Sequence, residues 1–223
     1  MRTELLDGLP GAARAKLLDR AVPRSLEAGE ILHLAGDRPE RVHLVTAGLI
    51  KLSVRDSEGD ETILGLAPTD SVVGDLAAID GGPQPLDAVA ATPSEVLGFD
   101  AKLFIDIIMA SPRSVRALAR IQVARTRWLA ETALERTSGA VSSRLAGRLL
   151  DLGKLIGTTD GRVIEVQLPL GQRDLGRLSG VCRESTNKTL RRFKAAGVID
   201  YKGQTLRILR PDSLRMMRCG NGD

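Results

Sequence analysis

The stretch that most constrains this chain covers residues 168–209, LPLGQRDLGRLSGVCRESTNKTLRRFKAAGVIDYKGQTLRIL. It predicts a helix over 172–178, a corner at Ser179-Gly180-Val181, a second helix over 182–196, and a hairpin of strands 198–201 and 205–209. Glycine in the corner lets the chain turn sharply between two helices. Gly197 is the residue type that commonly ends a helix. In the second helix Thr186, Leu190 and Phe193 fall on one side, while Arg183, Glu184, Asn187, Lys188 and Arg191 fall on the other. One side is made to pack and the other to reach outward. An arginine can bond guanine O6 and N7 together, and a glutamate can accept from cytosine N4 in the major groove. Arg191, Arg192, Lys194 and Lys202 suit phosphates, which position a duplex without specifying its sequence. Ser185 and Gln172 complete the candidate DNA contacts.

The charge is divided to match. Residues 138–223 carry 16 Lys/Arg against 8 Asp/Glu, whereas residues 1–137 carry 16 against 20. A basic C-terminal part on an acidic body is the footprint of a nucleic-acid module joined to a different kind of module. Aromatic residues are 2% of the chain, too few for a platform that stacks single strands, so the expected target is double-stranded DNA.

The corner and the residues after it, Cys182-Arg183-Glu184-Ser185-Thr186-Asn187-Lys188, resemble the C-terminal domain of the Crp–Fnr family of bacterial transcription regulators. That family opens its recognition helix with a small residue, Arg, Glu, Ser or Thr, and then Arg or Lys three residues later. The resemblance makes Arg183, Glu184 and Lys188 the base readers. Lys188 stands where many members have Arg, so its contact is expected to be a single bond rather than a bidentate one.

Residues 1–22 predict a helical lead-in broken at Pro23, and residues 24–97 predict short strands cut by glycine turns. The expected strands are 25–26, 30–34, 41–47, 49–55, 61–66, 88–91 and 94–99. Ala28-Gly29-Glu30-Ile31-Leu32, Gly36-Asp37 and the 42–48 run follow, in order, the glycine framework of the family's cyclic-nucleotide-binding-type β-roll. Residues 112–136 read as a long helix with Val115, Leu118, Ile121 and Trp128 near one seam, Val123 and Leu129 beside it, and Arg125 interrupting. In the family this helix pairs with its twin. Thr137-Ser138-Gly139 reads as a hinge, with a helix beginning at Ser142 or Ser143 and carrying Leu145, Leu149, Leu150 and Leu152 inward. Residues 157–161 read as an exposed loop and 163–168 as a strand, and in the family the loop matching 157–162 can touch RNA polymerase.

The fold class expected is therefore α+β: an N-terminal β-roll (jelly-roll) sensor domain over 1–110, a dimerisation helix over 111–137, and a winged helix-turn-helix domain over 138–223.

The effector loop departs from the family. Cyclic-nucleotide binders carry Gly-Glu-Leu or Gly-Glu-Ile, then Arg-Ser-Ala or Arg-Thr-Ala about ten residues on. Here stand Gly74-Asp75-Leu76 and Gln84-Pro85-Leu86. Gln84 replaces the phosphate-binding Arg. Pro85 replaces the hydroxyl and has no backbone N–H. Asp75 is shorter than the family's Glu and is not expected to reach a ribose. An anion would meet no fixed positive charge in this loop. The hydroxyl pair that contacts adenine in cyclic-AMP binders is missing as well, its place held by Ala124-Arg125 or Leu129-Ala130 according to the frame. Control by cyclic AMP in the usual way is not expected. An unknown, less anionic effector, or none, is.

Cys182, at a helix start beside Arg183, is a candidate redox switch, because helix N-termini and cations lower a thiol pKa. Cys219 falls in the C-terminal tail. His33 and His43 lie in predicted strands with no cysteine nearby, and a packed or half-exposed ring is expected at His43. No spacing suits a metal, no cofactor is implied, and no nucleophile elbow or phosphate loop marks an enzyme. No run is apolar enough to span a membrane, and the opening residues mix acids and bases with no apolar core, so a reducing cytoplasm is expected. The expected function is a homodimeric, sequence-specific regulator on a near-palindromic site. The alternative is a small-molecule-binding module whose helix-turn-helix mediates protein contacts.

Overall fold

The computed structural model describes residues 3–167 and 170–219, without the side chain of Ser138. The chain divides into two units, Met1–Trp128 and Leu129–Asp223.

The first unit opens with α1 (Glu4–Asp7) and α2 (Gly11–Leu18), followed by β1 (Val22–Leu26), β2 (Ile31–His33), β3 (Arg41–Ala47), β4 (Leu49–Arg55), β5 (Glu61–Pro68) and β6 (Val72–Val73). Then come α3 (Asp75–Asp80), β7 (Asp87–Ala90), β8 (Ser94–Asp100), α4 (Ala101–Met109) and the start of α5 (Pro112–Ser138). Two four-stranded antiparallel sheets form, ordered β1-β8-β3-β6 and β2-β7-β4-β5. Leu26, Val45, Val73 and Val96 from the first sheet and Leu32, Ile50, Ala67, Ala88 and Ala90 from the second share one core. The other face of β3 and β8 is covered by helices: Leu5, Leu6, Leu17, Phe104, Ile108 and Leu118 pack with Val42, Leu44 and Phe99. Strand β3 is thus buried on both faces from Val42 to Val45, which is why Val42, Leu44 and Val45 do not alternate with exposed polar residues.

Several sequence expectations shift. The helical lead-in is two short helices, and Pro23 lies inside β1. That strand is at the sheet edge, where proline is tolerated because one side of the strand has no neighbour to bond. Strand β6 and helices α3 and α4 were not anticipated. Helix α4 begins on Asp100, whose side chain accepts from Leu103 N at 2.8 Å, and buries Ala101, Phe104 and Ile108 at helical spacing. Leu118 belongs to the unit's core and not to a free seam, while Val115, Ile121 and Trp128 are half-buried. The exposed large apolar residues of α5 are Val123, Leu129 and Leu134.

His43 is a packed ring, 8% exposed, with its pKa pushed down to about 4 by burial first and the neighbouring His33 next.

The second unit holds the end of α5, then α6 (Val141–Ile156), β9 (Gly157–Asp160), β10 (Val163–Gln167), α7 (Gln172–Ser179), α8 (Arg183–Ala195), β11 (Ile199–Lys202), β12 (Thr205–Ile208) and α9 (Pro211–Arg218). The strands form one sheet in the order β11-β12-β10-β9. Helix α6 packs on α7, α8 and α9. Its Leu145, Leu149, Leu150 and Leu152 are buried, as the spacing predicts. It starts at Val141, not at either serine: Ser143 is buried and donates to Arg218 O at 2.8 Å, tying α9 to α6. The expected loop over 157–161 is strand β9. Its β-branched Thr158 and Thr159 pair with Glu165 and Ile164 and supply a partner for the free edge of β10. Leu168, the expected end of β10, lies outside the described residues. Cys219 caps the end of α9 rather than standing in a free tail.

The architecture is α+β: a two-sheet N-terminal roll, a long helix, and a winged helix-turn-helix. No described helix is long and apolar enough to cross a membrane.

Candidate nucleic-acid interface and pocket

The helix-turn-helix is set by one backbone requirement. Gly180 has φ of +63°, the left-handed region that a side chain disfavours. Its turn delivers Cys182 as the N-cap of α8. Thr186, Thr189, Leu190 and Phe193 are buried. Arg183, Glu184, Lys188 and Arg191 are exposed, so the structure brings these four to one open face. Gln172 is exposed at the start of α7 and Lys202 is exposed at the end of β11.

Two expected contacts stand less openly. Ser185 is half-buried, with its Oγ 3.3 Å from Cys182 Sγ. Asn187 is half-buried, and its Oδ1 is covered and accepts no hydrogen bond. Lys194 is engaged within the wing: it pairs with Asp200 at 2.7 Å, donates to Tyr201 O at 3.2 Å, and lies over the Tyr201 ring. It stays exposed there.

Cys182 is exposed, and its thiol pKa is lowered. The helix start contributes, as the sequence predicts, but does not come first. The Ser185 hydroxyl leads, followed by the backbone N–H of Ser185 and, more weakly, of Glu184, while the Glu184 charge opposes. Arg183 is not among the main causes.

The effector loop is arranged around an ion pair that the sequence did not disclose. Gly74, with φ of +85°, starts α3, and Asp75 follows it at 2% exposure. Arg125 of α5 donates through Nη1 to both Asp75 oxygens, at 2.9 and 2.8 Å, and through Nη2 to Val72 O at 2.7 Å. Gln122 Nε2 donates to the same carboxylate at 2.6 Å. Gln122 and Arg125 are three residues apart, and Leu118 lies two turns before Arg125, so all three share the inward face of α5. The fixed positive charge missing from the loop therefore arrives from the helix, already matched to Asp75. Gln84 is 4% exposed beside Gly74, whereas Pro85 and Leu76 are exposed. The cavity left among His33, Leu52, Val73, Gln84, Leu86 and Arg125 measures about 60 Å³, room for a few waters. His33 lies 6.5 Å from His43, ring to ring, and the Nδ1 atoms of both are buried without a hydrogen-bond partner. Burial pushes the His33 pKa down. Among the described residues no His, Cys, Asp and Glu side chains gather as a metal-binding group.

Comparison with known proteins adds to this geometry. Residues 23–111 match the cyclic nucleotide-binding domain family, and residues 143–217 match the Crp-like helix-turn-helix domain family. The CRP-like cAMP-activated global transcriptional regulator of Mycobacterium tuberculosis is 26% identical over 217 residues, 97% of this chain and 96% of that protein. The transcriptional activator protein FnrA of Stutzerimonas stutzeri is 26% identical over 200 residues, 89% of this chain and 80% of that one. Among solved structures, FixK2 from Bradyrhizobium japonicum superposes with a TM-score of 0.78 at 18% identity, covering 88% of this chain and 96% of that one. At that identity the likeness speaks to the fold alone.

Proposed function

The chain belongs to the Crp–Fnr family of DNA-binding transcription regulators, and on that premise we propose that it acts as a homodimer on a near-palindromic operator without cyclic AMP. The observation that carries the DNA reading is the open face of α8, where Arg183, Glu184, Lys188 and Arg191 stand exposed opposite a buried face. Arg183, Glu184 and Lys188 are assigned to base edges, Arg191 and Lys202 to phosphates, and Ser185, Asn187 and Gln172 to the margin of the interface. A two-fold dimer would set two such helices in successive major grooves. The long helix is assigned to dimerisation through its exposed apolar residues, the segment over 1–110 to the sensor and that over 138–223 to DNA. The β9–β10 turn, with Gly161 and Arg162 exposed, is the position assigned to RNA polymerase by family resemblance. The protein is assigned to the cytoplasm. The matched families and relatives are regulators rather than enzymes.

Independence from cyclic AMP rests on the pocket. The Mycobacterium tuberculosis relative is cAMP-activated. Here Asp75 is already bonded to Arg125 and Gln122, and Gln84-Pro85 offers a cyclic phosphate neither a cation nor a hydroxyl.

The test is selection of bound duplexes from a random pool with reduced protein, with and without cyclic AMP. A palindromic motif in both arms is expected. A motif that appears only with the nucleotide would overturn the effector reading. Failure to retain any duplex, with capture of a partner protein, would favour the protein-contact alternative. On the selected operator, Arg183→Ala should relax preference at one base pair per half-site, at a cost of about 1–3 kcal/mol. Equal weakening of every sequence would make Arg183 a phosphate contact.

Cys182 is proposed as a redox switch on the same face, because oxidation at an exposed helix N-cap adds bulk or negative charge against the DNA backbone. Peroxide should lower operator affinity of the native protein and leave Cys182→Ser unaffected. An equal peroxide effect on both removes the switch.

A further inference from the structure

We propose that Arg136 and Arg144 form a clamp for a backbone phosphate of the bound duplex at the corner of the helix-turn-helix. The proposal rests on the reading of α8 as a DNA-recognition helix.

Arg136 lies in the last turns of α5 and Arg144 in the first turn of α6. Both guanidinium groups converge on Gly180. Arg144 Nη1 donates to Gly180 O at 3.0 Å. Arg136 packs so closely that a Cβ added to Gly180 would stand 3.1 Å from its Nε. Neither side chain meets a carboxylate among the described residues. Nε and Nη2 of Arg136, and Nε of Arg144, are covered and have no hydrogen-bond partner. The acids close by on α5 and α6 are taken: Glu135 and Asp151 are bound by both Arg148 and Arg218. Burial, then the charges of Arg148 and Arg144, push the Arg136 pKa down.

Covering a cation without an anion is costly, and elsewhere in this unit the buried arginine is fully paired. The arrangement fits an anion supplied from outside the chain, and position selects which one. Gly180 lies three residues before Arg183, at most roughly 11 Å of chain. The major groove is about 12 Å wide, with phosphates along its walls. A corner held that close to a helix start inside the groove must stand beside the wall. Arginine is the cation best shaped for phosphate oxygens.

The test uses the purified full chain, the selected operator and a scrambled duplex, with affinities measured across a range of salt concentrations. Arg136→Gln and Arg144→Gln should each weaken both duplexes by the same factor. Each should make the slope of log affinity against log salt shallower by about 1, and Arg136→Lys should keep most of the slope. Neither glutamine variant should lower the thermal midpoint, since each removes a poorly compensated cation. If the native protein retains no duplex, the DNA reading and the clamp fall together. If it binds but the variants keep the native slope, the clamp alone is overturned. A loss of affinity that tracks a fall in midpoint, with the slope unchanged, overturns it too.

Discussion

Arg148→Met should destabilise the C-terminal unit by about 3 kcal/mol, at the lower end of what removing one partner from a buried ion pair costs. Arg148 is 1% exposed, an extreme position for an arginine. It donates to Thr132 Oγ1 at 3.1 Å and to Glu135 Oε2, and its Nη1 stands 3.2 Å from Asp151 Oδ2, near enough to attract though not aimed as a hydrogen bond. Arg218 of α9 reaches the other oxygens of the same two acids, at 2.9 Å to Glu135 and 3.1 Å to Asp151. Methionine keeps most of the volume, so the loss isolates the charge. Because Arg218 continues to hold both acids, the penalty should fall short of a fully orphaned carboxylate pair. Glu135→Gln added to Arg148→Met should recover part of it, since one of the two acids is then neutral. Urea unfolding of the full chain, fitted with a separate transition for each unit if two appear, measures this. A change in stability below about 0.5 kcal/mol, the range of ordinary surface substitutions, would mean that the network contributes no more than apolar packing would.

The contrast between this network and the recognition helix shows what a sequence discloses. The corner at Gly180 and the stripe from Arg183 to Arg191 are local: backbone conformation and helical spacing fix them within a dozen residues, so both were legible. Arg148 carries no such local mark, because it acts through partners on α5 as well as on its own helix. Arg125 did leave a trace, as the charge interrupting an apolar seam. Its partner Asp75 lies 50 positions earlier, and nothing in the spacing links them. Strand β9 is different: it pairs with β10 across the two-residue turn Gly161-Arg162, and Asp160-Gly161 is a local hairpin signal, while β6 is a two-residue strand with no period to read. At Cys182 the N–H groups of the helix start lower the thiol pKa as the sequence argument holds, but the Ser185 hydroxyl acts first, in place of a neighbouring cation. Local rules therefore found the DNA face, and long-range pairing decided the pocket.

Arg125→Met should destabilise the N-terminal unit by about 3 kcal/mol, again because one partner is removed from a buried pair. Asp75, at 2% exposure, would keep only Gln122 against its charge, and Val72 O would lose its donor. Asp75→Asn in the same chain should restore at least half of the loss, since a neutral amide needs no counter-charge. If the double variant is as unstable as Arg125→Met alone, the effect is packing and the pair is not what matters. The pair also separates two explanations of effector insensitivity. In the native protein cyclic AMP should move neither the thermal midpoint nor operator affinity. A nucleotide at 100 times its Kd would add about 2.7 kcal/mol, which no unfolding curve could hide. The double variant frees the pocket floor but leaves Gln84 and Pro85 in place. If the nucleotide still has no effect there, the loop lacks the groups that hold a phosphate, and Arg125 closes a site already unable to bind. A response gained in the double variant would instead make the Arg125–Asp75 pair the barrier itself, with the loop competent behind it.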